Sequence, residues 1–352
     1  MLRTVNHFSL HRINSTELRV VSDVSEGVLP VIVAEENVVR KYSQAPDWPH
    51  HSITLFVLED LQPLLKQFRT SPGSTVLGQK SLSVADIVSL SSRPVVNVYD
   101  LTDLSTCNVF VNRDEMVAQR YWGDSQAMLA LFAHEHAHPL SENEATAASR
   151  AIHFQMLGIQ GADQKAVGPS LSKVGSLLGQ LAEKLSLLAP REILTNQRAI
   201  QGGFSDELLH LNTHNIQNAI ASMVGRVGLS KHLQQQVEKG ELTRDEIELL
   251  LLVGDLNVFL PLAMEIAPFF RAGQPDAGQI LENLLTQVVF QALDPVAVRC
   301  FIELQKHYVA MPVDKVTLPE MLAWANEVIQ ILNRALSARG FSLQYEMSML
   351  EK

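Results

Sequence analysis

The segment "LALFAHEHAHPLSENEATAASR", residues 129–150, places ionisable side chains directly after an apolar stretch. Residues 129–133 are all apolar, and the sequence His-Glu-His-Ala-His follows at once at 134–138. Burying ionisable groups is costly unless they are paired or bound to a metal. The segment therefore predicts a buried helix, capped at its start by Asp124, whose polar residues have dedicated partners.

His134, Glu135 and His138 form the pattern His-Glu-x-x-His. Residues four apart on a helix project from one face, so the two imidazoles can reach a single metal ion while Glu135 points toward a water on that ion. Zinc in such a site lowers the pKa of its water toward about 7, and a carboxylate beside the water can pass its proton to a leaving amine. The spacing predicts one Zn²⁺ per chain and metal-assisted hydrolysis.

This segment resembles the active-site helix of the zincin (HExxH) metallopeptidase superfamily, which carries the same pentapeptide. The resemblance implies that His134 and His138 are zinc ligands, that Glu135 is the general base, and that the substrate is a peptide or protein. It covers only this helix and the residues directly after it, and no closer family is identified. It also implies an edge strand that holds the substrate in an extended form, for which residues 106–113 ("TCNVFVNR") are the candidate.

The third metal ligand is expected shortly after the helix. Pro139 disfavours helical geometry in the residue before it, so the helix is expected to end at His138 and a second helix to run from Ser141, as N-cap, to about 157. The metzincin pattern places its third ligand at Glu144, although Ser141 stands where that pattern has glycine.

Other zincins take a glutamate from a second helix, which leaves Glu142 open beside Glu144. Both have structural alternatives. Ser141 and Glu144 have the spacing of a capping box, and Glu142 would lie at the favourable N-terminal end of the new helix.

The remaining histidines near the motif are expected to have structural roles. His136 projects to the far side of the helix, where an imidazole is favourable near a helix C-terminus. His153 is expected on the second helix as a core or surface residue. His210 and His214 repeat the four-residue spacing without an adjacent glutamate, which makes them weaker candidate ligands.

Composition and charge indicate how many domains to expect and which partners and compartments to exclude. The chain has 352 residues, 46% of them hydrophobic, which is enough for two domains or one elaborated domain. A net charge of -10 argues against nucleic acid as a partner. Its two cysteines, Cys107 and Cys300, are expected to be buried thiols in a reducing compartment. The N-terminal residues lack a secretory signal pattern, so a cytoplasmic protein is expected.

The most apolar stretch, residues 249–270, is interrupted by two acidic residues and two prolines, which predicts a core helix rather than a membrane span. No membrane partner is therefore expected. An apolar helical half could instead supply a homo-oligomer interface.

The chain divides by pattern into two parts. Short strand-like runs at 18–23, 29–36, 53–60, 94–100 and 106–113 alternate with helix candidates at 59–68 and 83–90. Helical periodicity dominates afterwards, with capping boxes at Thr243/Glu246 and Thr317/Glu320. The predicted fold class is α+β, with a zincin-like α+β domain at 1–158 that carries the metal-binding helix and an all-α domain at 159–352. A Gly-rich segment at 158–170 is the candidate hinge.

Three functions fit this pattern. The first is a cytoplasmic zinc-dependent peptidase or zincin-like hydrolase. The second is an Fe(II)-dependent oxygenase that acts on peptides through a His/His/Glu triad, with Arg120 or Arg150 as candidates to hold a 2-oxo acid. The third is a non-catalytic metal-binding interaction protein, which Glu135 disfavours because a structural site needs no unligated carboxylate.

Overall fold

A computed structural model describes residues 5–62, 92–161 and 172–350 of the chain. These residues form two compact units. Unit 1 comprises Met1–Ser141 with Arg198–Leu211, and unit 2 comprises Glu142–Gln197 with Asn212–Lys352. Helices and sheets both occur, which confirms the prediction of a mixed α+β protein.

Unit 1 is built on a five-stranded sheet in the order β1-β2-β3-β5-β4. The strands are β1 (His7–Ile13), β2 (Thr16–Ser22), β3 (Ser52–Leu58), β4 (Val95–Asp100) and β5 (Asp103–Asn112). The three central strands are parallel, whereas β1 and β4 run antiparallel to their neighbours at the two edges. The prediction that residues 106–113 form an edge strand is therefore wrong, because β5 lies between β3 and β4.

The central strands form the core of unit 1. Alternate residues of β3 are fully buried, namely Ile53, Leu55 and Val57, as expected for a strand with period two. Leu18 and Val20 of β2 are equally buried. Burial of such aliphatic side chains contributes about 1.5–3 kcal/mol each.

Residues 28–42 form a helix, α1 (Val28–Tyr42), so the prediction of a strand at 29–36 is wrong. The β-branched residues in that window favour a strand by propensity, but burial recurs at helical spacing from Val28 to Tyr42. An eight-residue window is too short to separate the two periods. A buried hydrogen bond of 2.9 Å from Tyr42 Oη to the carbonyl of Ala133 joins α1 to the next long helix.

Helix α2 (Arg113–Ala118) precedes that helix, α3 (Ser125–Leu140), which carries the His-Glu-x-x-His motif. Asp124 is its N-cap as predicted, because its side chain accepts hydrogen bonds from the backbone N–H groups of Gln126 and Ala127. The helix continues through Pro139, so the expected end at His138 is wrong.

Unit 2 begins with α4 (Glu144–Arg150), which is much shorter than the second helix expected to reach residue 157. Its N-cap is Asn143, paired with Thr146 in a capping box, and the predicted Ser141/Glu144 box is wrong. Ser141 instead ends α3, where its hydroxyl donates to the carbonyl of His138 at 3.0 Å.

A two-stranded antiparallel sheet of β6 (Ile152–Gly161) and β7 (Phe341–Met349) also belongs to unit 2. The expectation of an all-helical second half is therefore wrong. The two strands are separated by most of the second half of the sequence, so local periodicity does not reveal their pairing.

The other helices follow between these strands. They are α5 (Ser172–Glu183), α6 (Ala189–Gln201), α7 (Ser205–Glu238), α8 (Arg244–Phe259), α9 (Leu262–Arg271), α10 (Pro275–Leu284), α11 (Pro295–Val309) and α12 (Leu318–Ser337), with π-helical turns at Lys184–Leu188 and Leu285–Val289. The capping boxes predicted at the starts of α8 and α12 are both present.

In the described part of the chain, one helical segment, Arg244–Arg271, is apolar and long enough to cross a membrane. It comprises α8 and α9, and 61% of its most apolar window is buried inside the protein. This burial agrees with the prediction of a core helix in this stretch.

Three sequence predictions lie wholly or largely outside the described ranges. They are the helix candidates at 59–68 and 83–90 and the hinge at 158–170. Of these segments the structure describes only residues 59–62 and residues 158–161, and the latter belong to β6.

Candidate metal site on helix α3

The two motif histidines come together on one face of α3. The ring centroids of His134 and His138 are 4.7 Å apart, and the ring planes are nearly perpendicular at 83°. His138 is buried and His134 is half-buried. The four-residue helical spacing therefore brings the two imidazoles side by side.

Glu135 lies between these histidines in the sequence and is 7% exposed. Its carboxylate Oε2 accepts a hydrogen bond of 3.0 Å from the backbone N–H of Asn97, on the edge strand β4. The carbonyl of Glu135 accepts a second one, of 3.2 Å, from the side-chain amide of Asn97. A single residue of β4 thus binds both the side chain and the backbone of Glu135.

Pro139 explains why that carbonyl needs an outside partner. In a regular helix the carbonyl of Glu135 would accept from the N–H four residues later, but proline has none. The side-chain amide of Asn97 replaces the missing donor. The helix therefore tolerates a proline in its last turn, and hydrogen bonds link the motif to the edge strand β4.

The N-terminal end of α3 has its own polar partner. His210 Nε2 lies 2.7 Å from Asp124 Oδ2. Burial raises the pKa of Asp124, but the hydrogen bonds from His210 and from the backbone N–H groups of Ala127 and Gln126 outweigh it, and the pKa is lowered overall. His210 therefore supports the helix cap of the motif, whereas the sequence suggested it as a weaker metal ligand.

The two glutamates suggested as third ligands lie in unit 2. Glu142 is engaged by cationic and hydroxyl groups: Arg150 Nη1 at 2.7 Å, the Thr146 hydroxyl at 3.0 Å and Arg191 Nε at 3.7 Å. Glu144 is exposed at the first position of α4. The hydroxyl and guanidinium groups would compete with a metal for the carboxylate of Glu142. His153 is exposed on β6 rather than on a helix.

His136 points away from the motif histidines and is fully buried. Its Nε2 lies 2.7 Å from Glu35 Oε1 of α1, and both side chains have no exposure. His50 and Cys107 lie in the same part of unit 1, and one ligand atom from each of His50, Cys107 and His136 falls within 4.8 Å of the others.

Four residues of unit 1 that surround α3 were not predicted from the sequence as parts of a site: Glu35, His50, Asn97 and Cys107. Cys107 was expected only to be a buried thiol. Glu35 was hidden by the wrong assignment of α1 to a strand. No local pattern marks His50 or Asn97, because each meets α3 only through folding of the sheet.

Comparisons of the chain with models of protein families, with curated proteins and with solved structures give no match.

Proposed function

We propose that this protein is a cytoplasmic zinc-dependent peptidase or zincin-like hydrolase, in which His134 and His138 bind the metal and Glu135 is the general base. The observation that carries the proposal is the convergence of the two motif rings, whose centroids are 4.7 Å apart, on the helix whose Glu135 carboxylate is held at the edge of a sheet. Two imidazoles and a carboxylate on one helix are the donors and the base that metal-assisted hydrolysis requires.

A catalytic zinc ion needs a third protein ligand and an open position. Glu142 is engaged by Arg150 and Thr146, and Glu144 is exposed to solvent. Glu144, whose carboxylate is accessible, is therefore proposed as this ligand, at the position that the metzincin spacing predicts. Such a His/His/Glu set leaves one position for water.

Zinc bound there would lower the pKa of a water molecule toward about 7 and polarise a substrate carbonyl. With the metal bound, the carboxylate of Glu135 would be the base that accepts the proton of that water and passes it to the leaving amine. The two hydrogen bonds from Asn97 fix the position of Glu135 at the edge of the sheet, so the base is oriented before a substrate binds.

The first test is metal analysis and hydrolysis of a mixed peptide library by the purified full chain. We expect zinc in the wild type, and its loss from this site in a His134→Ala/His138→Ala double variant. His153→Ala is the matched control because His153 is exposed on β6, and it should change neither metal content nor activity. Iron in place of zinc, with turnover that depends on a 2-oxo acid, would support the oxygenase instead.

Glu135→Gln separates metal binding from catalysis. The amide keeps the shape of the side chain but cannot accept the proton of water, so we expect metal content to stay the same and hydrolysis to fall by a factor of at least about 100. Hydrolysis at the wild-type rate in this variant would show that Glu135 is not the base.

Glu144→Gln tests the third ligand. We expect it to weaken zinc binding by a factor of about 10 or more, because one charged ligand is lost. Glu142→Gln is the matched control and should bind zinc as the wild type does, because the carboxylate of Glu142 is paired with Arg150. Weaker zinc binding in Glu142→Gln, with normal binding in Glu144→Gln, would make Glu142 the third ligand.

A further inference from the structure

A second cluster of metal-ligating side chains lies on the other side of α3 in unit 1. It combines His136 of α3 with Cys107 of β5 and with His50, which precedes β3. All three side chains are buried, with exposed fractions of 0%, 2% and 0% respectively. One ligand atom from each lies within 4.8 Å of the others.

The hydrogen bonds of the two histidines define which ring nitrogens can bind a metal. His50 Nδ1 lies 2.6 Å from the carbonyl of Leu104, which can only accept, so Nδ1 carries the proton and Nε2 has a lone pair. His136 Nε2 lies 2.7 Å from the carboxylate of Glu35, so Nε2 carries the proton and Nδ1 has a lone pair when the ring is neutral.

These two lone pairs are the atoms that lack a partner. His50 Nε2 and His136 Nδ1 are buried with no hydrogen-bond partner among the residues that the structure describes. Oε2 of Glu35 is unpaired in the same way. Each unsatisfied buried polar atom costs about 1–3 kcal/mol, so three of them in one place require an explanation.

An aromatic ring packs against the cluster, and its polar groups are buried. Trp48 packs its ring 4.8 Å from that of His50 and 5.6 Å from that of His136. Burial lowers the pKa of His50 to about 4. Burial, together with the carboxylate of Glu35, raises the pKa of Cys107, so the thiol stays protonated unless a cation binds beside it.

We propose that His50, Cys107 and His136 bind a zinc ion at a second site, separate from the one at His134 and His138. Two imidazoles and a thiolate are a donor set that zinc prefers, at about 2.0–2.1 Å from nitrogen and 2.3 Å from sulfur. Binding displaces the thiol proton from Cys107 to solvent, and it occupies the lone pairs that the fold leaves unpaired.

Glu35 is a positioning residue in this site. Its hydrogen bond to Nε2–H of His136 fixes the ring and leaves Nδ1 as the nitrogen that can bind the ion, an arrangement that recurs behind metal-bound histidines. The site joins α3 to β5 and to the segment before β3. A zinc ion bound there would hold α3 against β5 and against the segment before β3.

The proposal does not depend on the proposed function, and one variant separates the two. In the His134→Ala/His138→Ala double variant, any zinc that remains must come from elsewhere in the chain. We expect about one zinc per chain in that variant. We also expect X-ray absorption at the zinc edge to show a sulfur ligand at about 2.3 Å.

Cys107→Ala on the double-variant background should remove this zinc. Cys300→Ala is the matched control, because Cys300 is also buried but its thiol lies near the carbonyl of Ile331 rather than beside histidines. It should retain the zinc and the sulfur signal. If Cys107→Ala does not fold, the His134→Ala/His138→Ala variant loaded with cobalt still tests the proposal. A thiolate ligand produces a sulfur-to-cobalt charge-transfer band in its absorption spectrum.

Three results would overturn the proposal: a double variant that takes up no metal, a bound metal without a sulfur ligand, or loss of the sulfur signal in Cys300→Ala. Failure of the proposed function, by contrast, would appear as a wild type that contains only the thiolate-bound zinc and hydrolyses no peptide.

Discussion

At the scale of single residues, Asp124 shows how much one local side chain contributes to the motif helix. It accepts two backbone N–H groups at the start of α3 and pairs with His210. Its lowered pKa means that the folded protein favours the charged carboxylate. The resulting stabilisation is present above the unfolded pKa of about 3.9 and is lost as the pH falls through the lower folded pKa.

Asp124→Ala should therefore lower the free energy of unfolding by about 1 kcal/mol at neutral pH, because the cap of α3 is lost. The difference from the wild type should shrink below about pH 4, where the wild-type carboxylate becomes protonated. Urea unfolding at several pH values measures both effects. Asp124→Asn is the control: asparagine caps as well as aspartate, so it should retain most of the stability without its pH dependence.

At the scale of secondary-structure elements, the contact between β4 and α3 is decided by a proline and an asparagine. Pro139 removes the helical donor to the carbonyl of Glu135, and the side-chain amide of Asn97 supplies it. The carbonyl left without a helical donor therefore forms a hydrogen bond that links α3 to the edge of the sheet. From the sequence alone, Pro139 predicted only that the helix would end at His138.

A double-mutant cycle tests this link. Asn97→Ala should destabilise the protein by about 1–3 kcal/mol, because the buried carbonyl of Glu135 loses its donor. In a Pro139→Ala background the same change should cost less, because the alanine introduced there has a backbone N–H that can donate to that carbonyl. Thermal and urea unfolding of the four proteins give the coupling energy.

Asn108→Ala is the control for this cycle, since Asn108 is an exposed asparagine on β5, and it should change stability by less than about 0.5 kcal/mol. Equal costs of Asn97→Ala in both backgrounds would show that the amide does not substitute for the missing N–H.

At the scale of the whole molecule, the two units are stabilised by different means. Unit 1 has a mostly parallel sheet with a buried aliphatic interior and histidine clusters around α3. Unit 2 depends on apolar helix packing, reinforced by a nearly buried ion pair between α7 and α8. In that pair, Arg226 donates from Nε and Nη2 to the two carboxylate oxygens of Asp255, at 2.6 and 2.8 Å.

Arg226→Ala should destabilise the protein by about 3 kcal/mol, because Asp255 is 3% exposed and would be left as a buried unpaired charge. Arg226→Lys should recover only part of this, since lysine cannot form the two parallel hydrogen bonds. Thermal unfolding should show the loss as a decrease of several degrees in Tm.

Arg334→Ala is the comparison for that variant. Arg334 forms its ion pairs with Glu303 and Glu327 where the side chains are about half exposed, so its removal should cost less than about 1 kcal/mol. Similar losses for Arg226→Ala and Arg334→Ala would show that burial of Asp255 does not determine the cost.

The sequence by itself determined the features that depend on neighbours a few residues apart. The convergence of His134 and His138 follows from their four-residue spacing, and the caps at Asp124, Thr243 and Thr317 follow from side chains that bond to backbone groups within one turn. The apolar core helices of unit 2 were likewise evident from composition.

Tertiary structure alone decided the features that join distant segments. The helical state of α1, the edge position of β4 and the pairing of β6 with β7 all depend on partners far away in the chain. The same is true of the hydrogen bond between Asn97 and Glu135 and of the cluster of His50, Cys107 and His136. In each case burial and hydrogen bonding against a distant part of the chain outweigh local conformational preferences. A short stretch of sequence does not reveal which distant part that is.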